Sequence, residues 1–157
     1  MLPDTPINIE SILGQFTASV HVSEMATQIM RADLQFLQQA GDIEDFTTPE
    51  ELDQVIDRVQ FALYGSVMGG VKLPLNFHET PVGMLISNAR AWTYPEEWFC
   101  TTQQEAAAFL GRDRSSVRNY EDQGWLHPVW RQRNRQYLWR ELEWLKNEHL
   151  PSIAKGV

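Results

Sequence analysis

The chain has 157 residues, 43% of them hydrophobic and 22% charged, which suits one ordinary domain or two small ones and excludes a disordered or fibrous protein. A single cysteine, Cys100, excludes an internal disulfide framework and a multi-cysteine zinc site. No apolar run approaches the roughly 20 residues of a bilayer span, and Met1–Thr5 lacks the basic flank and apolar segment of a signal peptide, so a soluble, cytoplasmic protein with no membrane partner is expected.

The net charge of −8 argues against a polyanion partner only if the chain is taken whole. Residues 1–97 hold fourteen acids against Arg31, Arg58, Lys72 and Arg90, whereas residues 98–157 hold seven acids against nine bases. Within 111–140 stand seven arginines and no lysine, with Asp113, Glu121 and Asp122 as the acids. Five of the six tryptophans also fall from Trp98 onward. Two parts with different tasks are implied. Arginine is the side chain that forks onto phosphates and guanine edges.

Ile7 to Val20 is apolar and ambiguous between helix and strand. Ser23 can cap a helix running to about Gln39, with Ala26, Ile29, Met30, Leu34 and Leu37 on one face and Gly41 as its stop. Asp42–Thr47 reads as a loop. Thr48-Pro49-Glu50-Glu51 is a strong start signal, with Thr48 as N-cap, Pro49 at the first helical position and Glu51 closing a capping box. Leu52, Val55, Ile56, Val59 and Leu63 follow at helical spacing, and Gly69-Gly70 ends the run. Val71–Glu79 reads as a loop, and Thr80-Pro81 opens another helix striped by Val82, Leu85, Ile86, Ala89 and Trp92.

The first 95 residues therefore read as an acidic helical bundle whose stripes are ordinary core. His21 and His78 lack metal-ligand spacing, so neither a metal nor a cofactor is expected. Phe36, Phe61, Tyr64 and Met68 are candidates for a surface that meets a second copy. Tyr94–Glu97 reads as a short polar boundary.

From Phe99 the pattern changes. Thr102-Gln103-Gln104-Glu105 is a second capping box and starts a short helix through Ala106, Ala107, Phe109 and Leu110. Gly111 turns the chain, and Asp113 can cap a further helix from Arg114 to Gln123, stopped by Gly124. Two short helices joined by such a turn form a helix-turn-helix, whose second helix can enter a major groove. Two β-prone runs, Leu126–Trp130 and Gln136–Trp139, then flank Arg131-Gln132-Arg133-Asn134-Arg135, a hairpin with a basic tip. A last helix over about Arg140–His149 offers Leu142, Trp144 and Leu145 to the core.

The run Gln104–Ala107, Leu110-Gly111-Arg112 and Val117–Pro128, followed by Arg135-Gln136-Tyr137 and Glu141–Leu145, resembles the winged helix-turn-helix of MerR-family transcription regulators. The resemblance covers about a third of the chain. It implies a mainly α protein, with a helical bundle over 1–95 followed by a MerR-like winged helix-turn-helix with a small β-hairpin wing over 99–150. It also implies roles. The helix from Arg114 would lie in the major groove, with Ser115, Ser116 and Arg118 at base edges or adjoining phosphates and Tyr120 reaching the backbone. Arg133, Arg135 and Tyr137 of the wing would grip phosphates or the minor groove, and Arg112, Arg131 and Asn134 complete the expected DNA-binding set. Tyr120 and Tyr137 divide evenly between core and backbone contact, while Val117, Leu126, Phe109 and Leu110 read as core and Trp125 and Trp139 as structural.

Departures matter as well. Asn119 stands where the family has the first of two aromatics, and asparagine can read adenine by two hydrogen bonds. The family places this module first and follows it with a long dimerisation helix, whereas here only about eight residues follow the last helix, so the first 95 residues would supply dimerisation. The paired-cysteine metal loop of metal-sensing members is missing, and Cys100 reads as a buried structural thiol. In architecture and size the chain is similar to MerR-type repressors associated with cyanobacterial CRISPR-associated transposons.

The expected function is a homodimeric repressor that binds an inverted-repeat operator in double-stranded DNA, with its partner copy held through the first domain. An effector in that domain is left open. The alternative is an excisionase-like architectural factor that bends DNA and recruits a recombinase; a protein-binding adaptor is a third class. No nucleophile–base pair, phosphate loop or carboxylate dyad suggests an enzyme.

Overall fold

Threonine followed by proline starts two of the longest helices. In the computed structural model, which describes residues 7–19, 23–40 and 47–154, Thr48 Oγ1 accepts the Glu51 amide at 3.2 Å and opens α3 (Pro49–Tyr64). Thr80 Oγ1 likewise accepts the Gly83 amide at 3.1 Å and opens α4 (Pro81–Thr93). Each hydroxyl satisfies one amide that the first helical turn leaves without a partner. The ambiguous opening stretch is helical, α1 (Ile9–Ser19), and α2 (Glu24–Ala40) follows with Ser23 Oγ accepting the Ala26 amide at 3.1 Å. His21, Gly41 and residues 42–46 of the expected loop lie outside the described residues.

These helices bury Ile12, Leu13 and Phe16 of α1, Leu34 and Leu37 of α2, Leu52, Ile56 and Val59 of α3, and Leu85, Ile86 and Ala89 of α4 around one core. Each large aliphatic side chain so enclosed contributes about 1.5–3 kcal/mol of transfer free energy. Two members of the expected stripes differ: Ile29 and Trp92 are more than half exposed and face away from this core. Of the four residues expected to meet a second copy, Phe61 and Met68 are exposed, while Phe36 and Tyr64 pack against the core.

α3 stops at Tyr64 rather than at Gly69-Gly70. There β1 (Gly65–Ser66) turns back through the glycines and pairs antiparallel with β2 (Gly70–Val71), and Phe77–Glu79 forms a short 3-10 turn where a loop was expected. Gly83 is required here by packing. A Cβ at that position would overlap the Phe77 carbonyl oxygen.

The second part holds α5 (Gln103–Leu110), α6 (Arg114–Asp122) and a three-stranded antiparallel sheet. The strands β3 (Phe99–Cys100), β4 (Val129–Arg131) and β5 (Asn134–Leu138) lie in the order β3-β5-β4. The chain closes with α7 (Trp139–Trp144), a π-helical turn over Leu145–His149, and α8 (Leu150–Ala154). Pro151 has no amide hydrogen and crowds the carbonyl four residues before it, and the wider turn just upstream relieves that clash. Leu142 and Leu145 enter a second core with Cys100, Ala106, Val117, Leu126 and Tyr137. Trp144 does not; it is 39% exposed and stacks on His149.

Tyr94–Glu97 is not a polar boundary. Tyr94 is buried, and Phe99, Val129 and Leu138 of the second part pack into the first core. Ser87 of α4 donates to the Pro128 carbonyl at 3.1 Å, and Arg140 of α7 forks onto Asp53 of α3 with two bonds of 3.1 Å. The fold is therefore mainly helical, with a small antiparallel sheet whose base is gripped by the helices before it. Among the described residues, no helix is long and apolar enough to cross a membrane.

Candidate nucleic-acid interface

Thr102 Oγ1 accepts the Glu105 amide at 3.0 Å and fixes the start of α5. Eight residues later Gly111 takes φ 66°, a left-handed conformation that costs glycine little, and its amide closes the helix on the Ala107 and Ala108 carbonyls. Three residues connect α5 to α6. Asp113 then accepts the Ser116 amide at 2.8 Å, starting α6, and that amide holds the Asp113 carboxyl below the usual carboxylate range. The three caps expected at Thr48, Thr102 and Asp113 are all made.

α6 has two unlike faces. Val117, Tyr120 and Glu121 are buried against the second core, while Arg114, Ser115, Arg118 and Asn119 line the opposite, exposed side. Ser116 sits between them, its amide committed to the cap. Arg112 is exposed on the turn before the helix.

The hairpin stands beside this face. Its strands pair Val129 with Gln136, Trp130 with Arg135 and Arg131 with Asn134, so the turn itself is only Gln132-Arg133. Both residues have positive φ, 52° and 66°, the requirement of the turn type that matches strand twist. Non-glycine residues held there carry strain, and such strain concentrates at functional sites. Arg133 and Asn134 are exposed at this tip.

The remaining hairpin residues expected to bind DNA are partly or fully committed within the fold. Arg131 lies over the Phe99 ring at 4.6 Å and donates to Gln136 Oε1 at 3.2 Å. Arg135 lies over Trp130 at 5.0 Å and donates to Glu121 Oε2 at 2.9 Å. Tyr137 is fully buried and gives its hydroxyl proton to Glu121 Oε1 while accepting from Gln103 Nε2 at 3.3 Å. That corrects its assignment as a DNA contact. Tyr120 is corrected likewise: it is 8% exposed and stacks on Trp125. In both, the ring completes the core at the junction of α6 with the strands.

Glu121 is therefore the hinge-point of the site's architecture, a buried carboxylate shared by Arg135 and Tyr137. Burial pushes its carboxyl above the usual range, against the pull of Tyr137 and Arg135. Burial, with the Glu121 charge beside it, also pushes the Tyr137 phenol well up. Cys100 is the buried thiol expected; its pKa is raised by burial to about 11, and it donates to the Thr102 carbonyl at 3.3 Å.

Between the first turn of α5, α6 and the hairpin lies a cleft of about 340 Å³. Arg114, Arg118, Arg133 and Arg135 all line it, with Asn134. Thr102, Gln103, Gln104 and Trp130 line it as well, and sequence reading assigned none of them to the site. The capping motif at Thr102 signalled a helix start there, but only the packing of β3 and β5 brings that start beside the hairpin. Arg112 and Arg131 are not in the cleft. The guanidiniums of Arg112, Arg114, Arg118 and Arg133 make no hydrogen bond or ion pair among the described residues.

No family model matches the chain, and no curated protein or solved structure matches it.

Proposed function

We propose that the protein is a sequence-specific DNA-binding regulator in which residues 99–150 act as a winged helix-turn-helix of the MerR kind. The observation that carries this reading is the exposed side of α6, where Arg114, Ser115, Arg118 and Asn119 stand clear of the core beside Arg133 and Asn134 of the hairpin tip. A short helix with polar side chains at its start reads base edges, and flanking guanidiniums fix register on phosphates. Arg114, Arg118 and Arg133 line one cleft without a hydrogen bond or close ion pair among the described residues, and guanidiniums so placed release counterions when they meet a polyanion.

In this reading two copies act together and repress by covering a promoter with an inverted repeat. A two-fold protein presents its recognition helices about one helical turn apart, which a single copy cannot do. The acidic first 97 residues repel the duplex and leave the arginine face turned toward it. Phe61, Val67 and Met68, all at least half exposed, supply apolar surface for the second copy.

Selection of bound sequences from random duplexes tests this directly. A palindromic site is the expected result, and its half-site spacing gives the dimer geometry. Recovery of no enriched sequence, even at low salt, overturns the reading. Strong bending on an asymmetric site that needs a recombinase would replace the repressor by the excisionase-like factor.

A further inference from the structure

Where the two halves of the chain meet, a second and larger cleft, of about 660 Å³, lies between the residues that follow β2 and those that follow α6. Val71 to Leu75 form one wall and Gln123 to Trp125 another, with Tyr64 and Trp144 completing it. The proposed DNA-binding face uses none of these residues. The two walls are pinned to each other. The Asn76 amide donates to the Asp122 carbonyl at 2.9 Å, and Asn76 itself is held in the left-handed region at φ 56°. Gly124, at φ 81°, passes close to the other wall; a Cβ there would stand 3.3 Å from the Pro74 carbonyl oxygen.

The aromatic rings of the cleft are set by packing before any ligand arrives. Tyr64 meets Phe77 edge-on at 5.7 Å, and Trp125 stacks on Tyr120 at 5.7 Å. His149 lies against both tryptophans, 4.4 Å from Trp125 and 4.6 Å from Trp144. Apolar surface nevertheless stays open here, since Trp144 is 39% exposed, Val71 44% and Leu75 66%. Exposed apolar side chains gathered around one concave site mark a binding surface, and the volume falls within the roughly 300–1,000 Å³ of small-molecule sites.

The polar chemistry of the cleft says what enters it. Lys72 is the one charged residue among its described lining; it is exposed and has no ion pair among the described residues. The indole N–H groups of Trp125 and Trp144 can only donate, and neither has a hydrogen bond among the described residues. A cation and two free donors between aromatic walls match a flat ring that carries an anionic acceptor. The hairpin tip of a second copy matches less well, because Gly65 to Val71 hold no charged side chain to meet Lys72.

We infer that this cleft binds a planar aromatic monoanion, its ring against Tyr64, Trp125 and Trp144 and its anionic group at Lys72. The inference does not rest on the DNA-binding reading, and each can fail without the other.

Titration calorimetry of the full chain with 1-naphthoate tests the site. Saturable binding of one ligand per chain is expected, with a Kd of about 1 mM or tighter for a molecule of this size. 1-Naphthalenemethanol, the same ring without the charge, should bind about fivefold more weakly. Lys72→Ala should bring 1-naphthoate down to the alcohol and leave the alcohol unchanged. A folding defect cannot produce that pattern, and the side chain of Lys72 supports nothing, since only its amide is bonded, to the Tyr64 carbonyl. Trp144→Ala should weaken both naphthalenes by about tenfold, and Trp144→Phe should restore most of the loss. An absence of saturation, equal affinity of the parent for the acid and the alcohol, or parent-like binding by either alanine variant overturns the site. If 1-naphthoate binds only after Met68→Asp has split an association of two copies, the cleft belongs to the partner's hairpin tip, and the ligand site is overturned as well.

Discussion

The two sides of the second part use arginine in opposite ways. On the seam with the helical half, Arg140 is spent inside the fold: it forks onto Asp53, donates to the Tyr94 hydroxyl at 2.9 Å and covers the Tyr94 ring at 5.1 Å. On the hairpin side, Arg114, Arg118 and Arg133 face a cleft without a carboxylate partner. All three and Arg140 belong to the same run of seven in the sequence, so a count of arginines measures charge but not its disposition. Arg135 stands between the two uses. Its guanidinium is anchored on buried Glu121 yet still lines the cleft.

The sharpest way to break that contrast is to remove the anchor. Glu121→Ala takes the carboxylate from the part-buried Arg135 and leaves the Tyr137 hydroxyl with only Gln103. Breaking a buried pair from one side costs about 3–5 kcal/mol. Denaturant unfolding should show a loss of about 3 kcal/mol or more, and a loss below about 1 kcal/mol would mean that Glu121 holds neither partner. Next in size is Arg118→Ala on the cleft side, which should cost about 1–3 kcal/mol of duplex binding and relax the preference at one base position. An equal loss on every sequence would reduce Arg118 to a phosphate contact. Unfolding free energy should be unchanged, because Arg118 is exposed.

Arg140→Ala reverses that pattern on the seam. Its side chain is 47% exposed and that of Asp53 35%, so solvent screening limits the ion pair to the order of 1 kcal/mol. Stability should fall by about that amount and duplex affinity should not move. A loss of duplex binding at unchanged stability would show that the seam sets the position of the hairpin.

Local chemistry was legible in the sequence, and long-range pairing was not. Thr48, Thr80, Thr102 and Asp113 announce their helices because a cap needs only the next three residues. The hairpin was legible as two β-prone runs, but its turn was not, since Gln132-Arg133 has none of the Asn-Gly or Asp-Gly chemistry that marks two positive φ values. The burial of Tyr137 depends on β3 pairing Cys100 with it across 37 residues of chain, and nothing local specifies that register. Thr102, Gln103 and Gln104 announce a helix start, but their place beside the hairpin is set by the same long-range pairing. Phe99, Val129 and Leu138 joined the first core for the same reason, so the chemical change at Phe99 does not mark a boundary in packing.

The smallest effect expected is on the pH dependence of stability, and it separates the two sides by the sign of their carboxyl shifts. On the seam, burial raises Glu141, but His127, whose Nδ1 lies 2.6 Å from Glu141 Oε2, and then Arg90 and Arg140 bring it below its ordinary value of 4.5. Asp53 is raised by burial and brought below 3.8 by Arg140 and Tyr94. For both, the unfolded chain takes up the proton first as pH falls, so their contribution is complete above the ordinary value and is lost on acidification through the folded one. Glu121, on the cleft side, is shifted the other way. Above 4.5 the folded chain keeps its proton while the unfolded chain has released it, so this group lowers stability as pH rises through that window. The two windows lie on opposite sides of 4.5 and do not cancel. Unfolding measured from pH 3 to pH 7 should therefore show an acid limb that Glu141→Gln flattens and Glu121→Gln does not. In the range just above 4.5 the assignments exchange. If Glu141→Gln left the acid limb intact, the pair with His127 would not hold the seam, and the contrast between the two sides would rest on Arg140 alone.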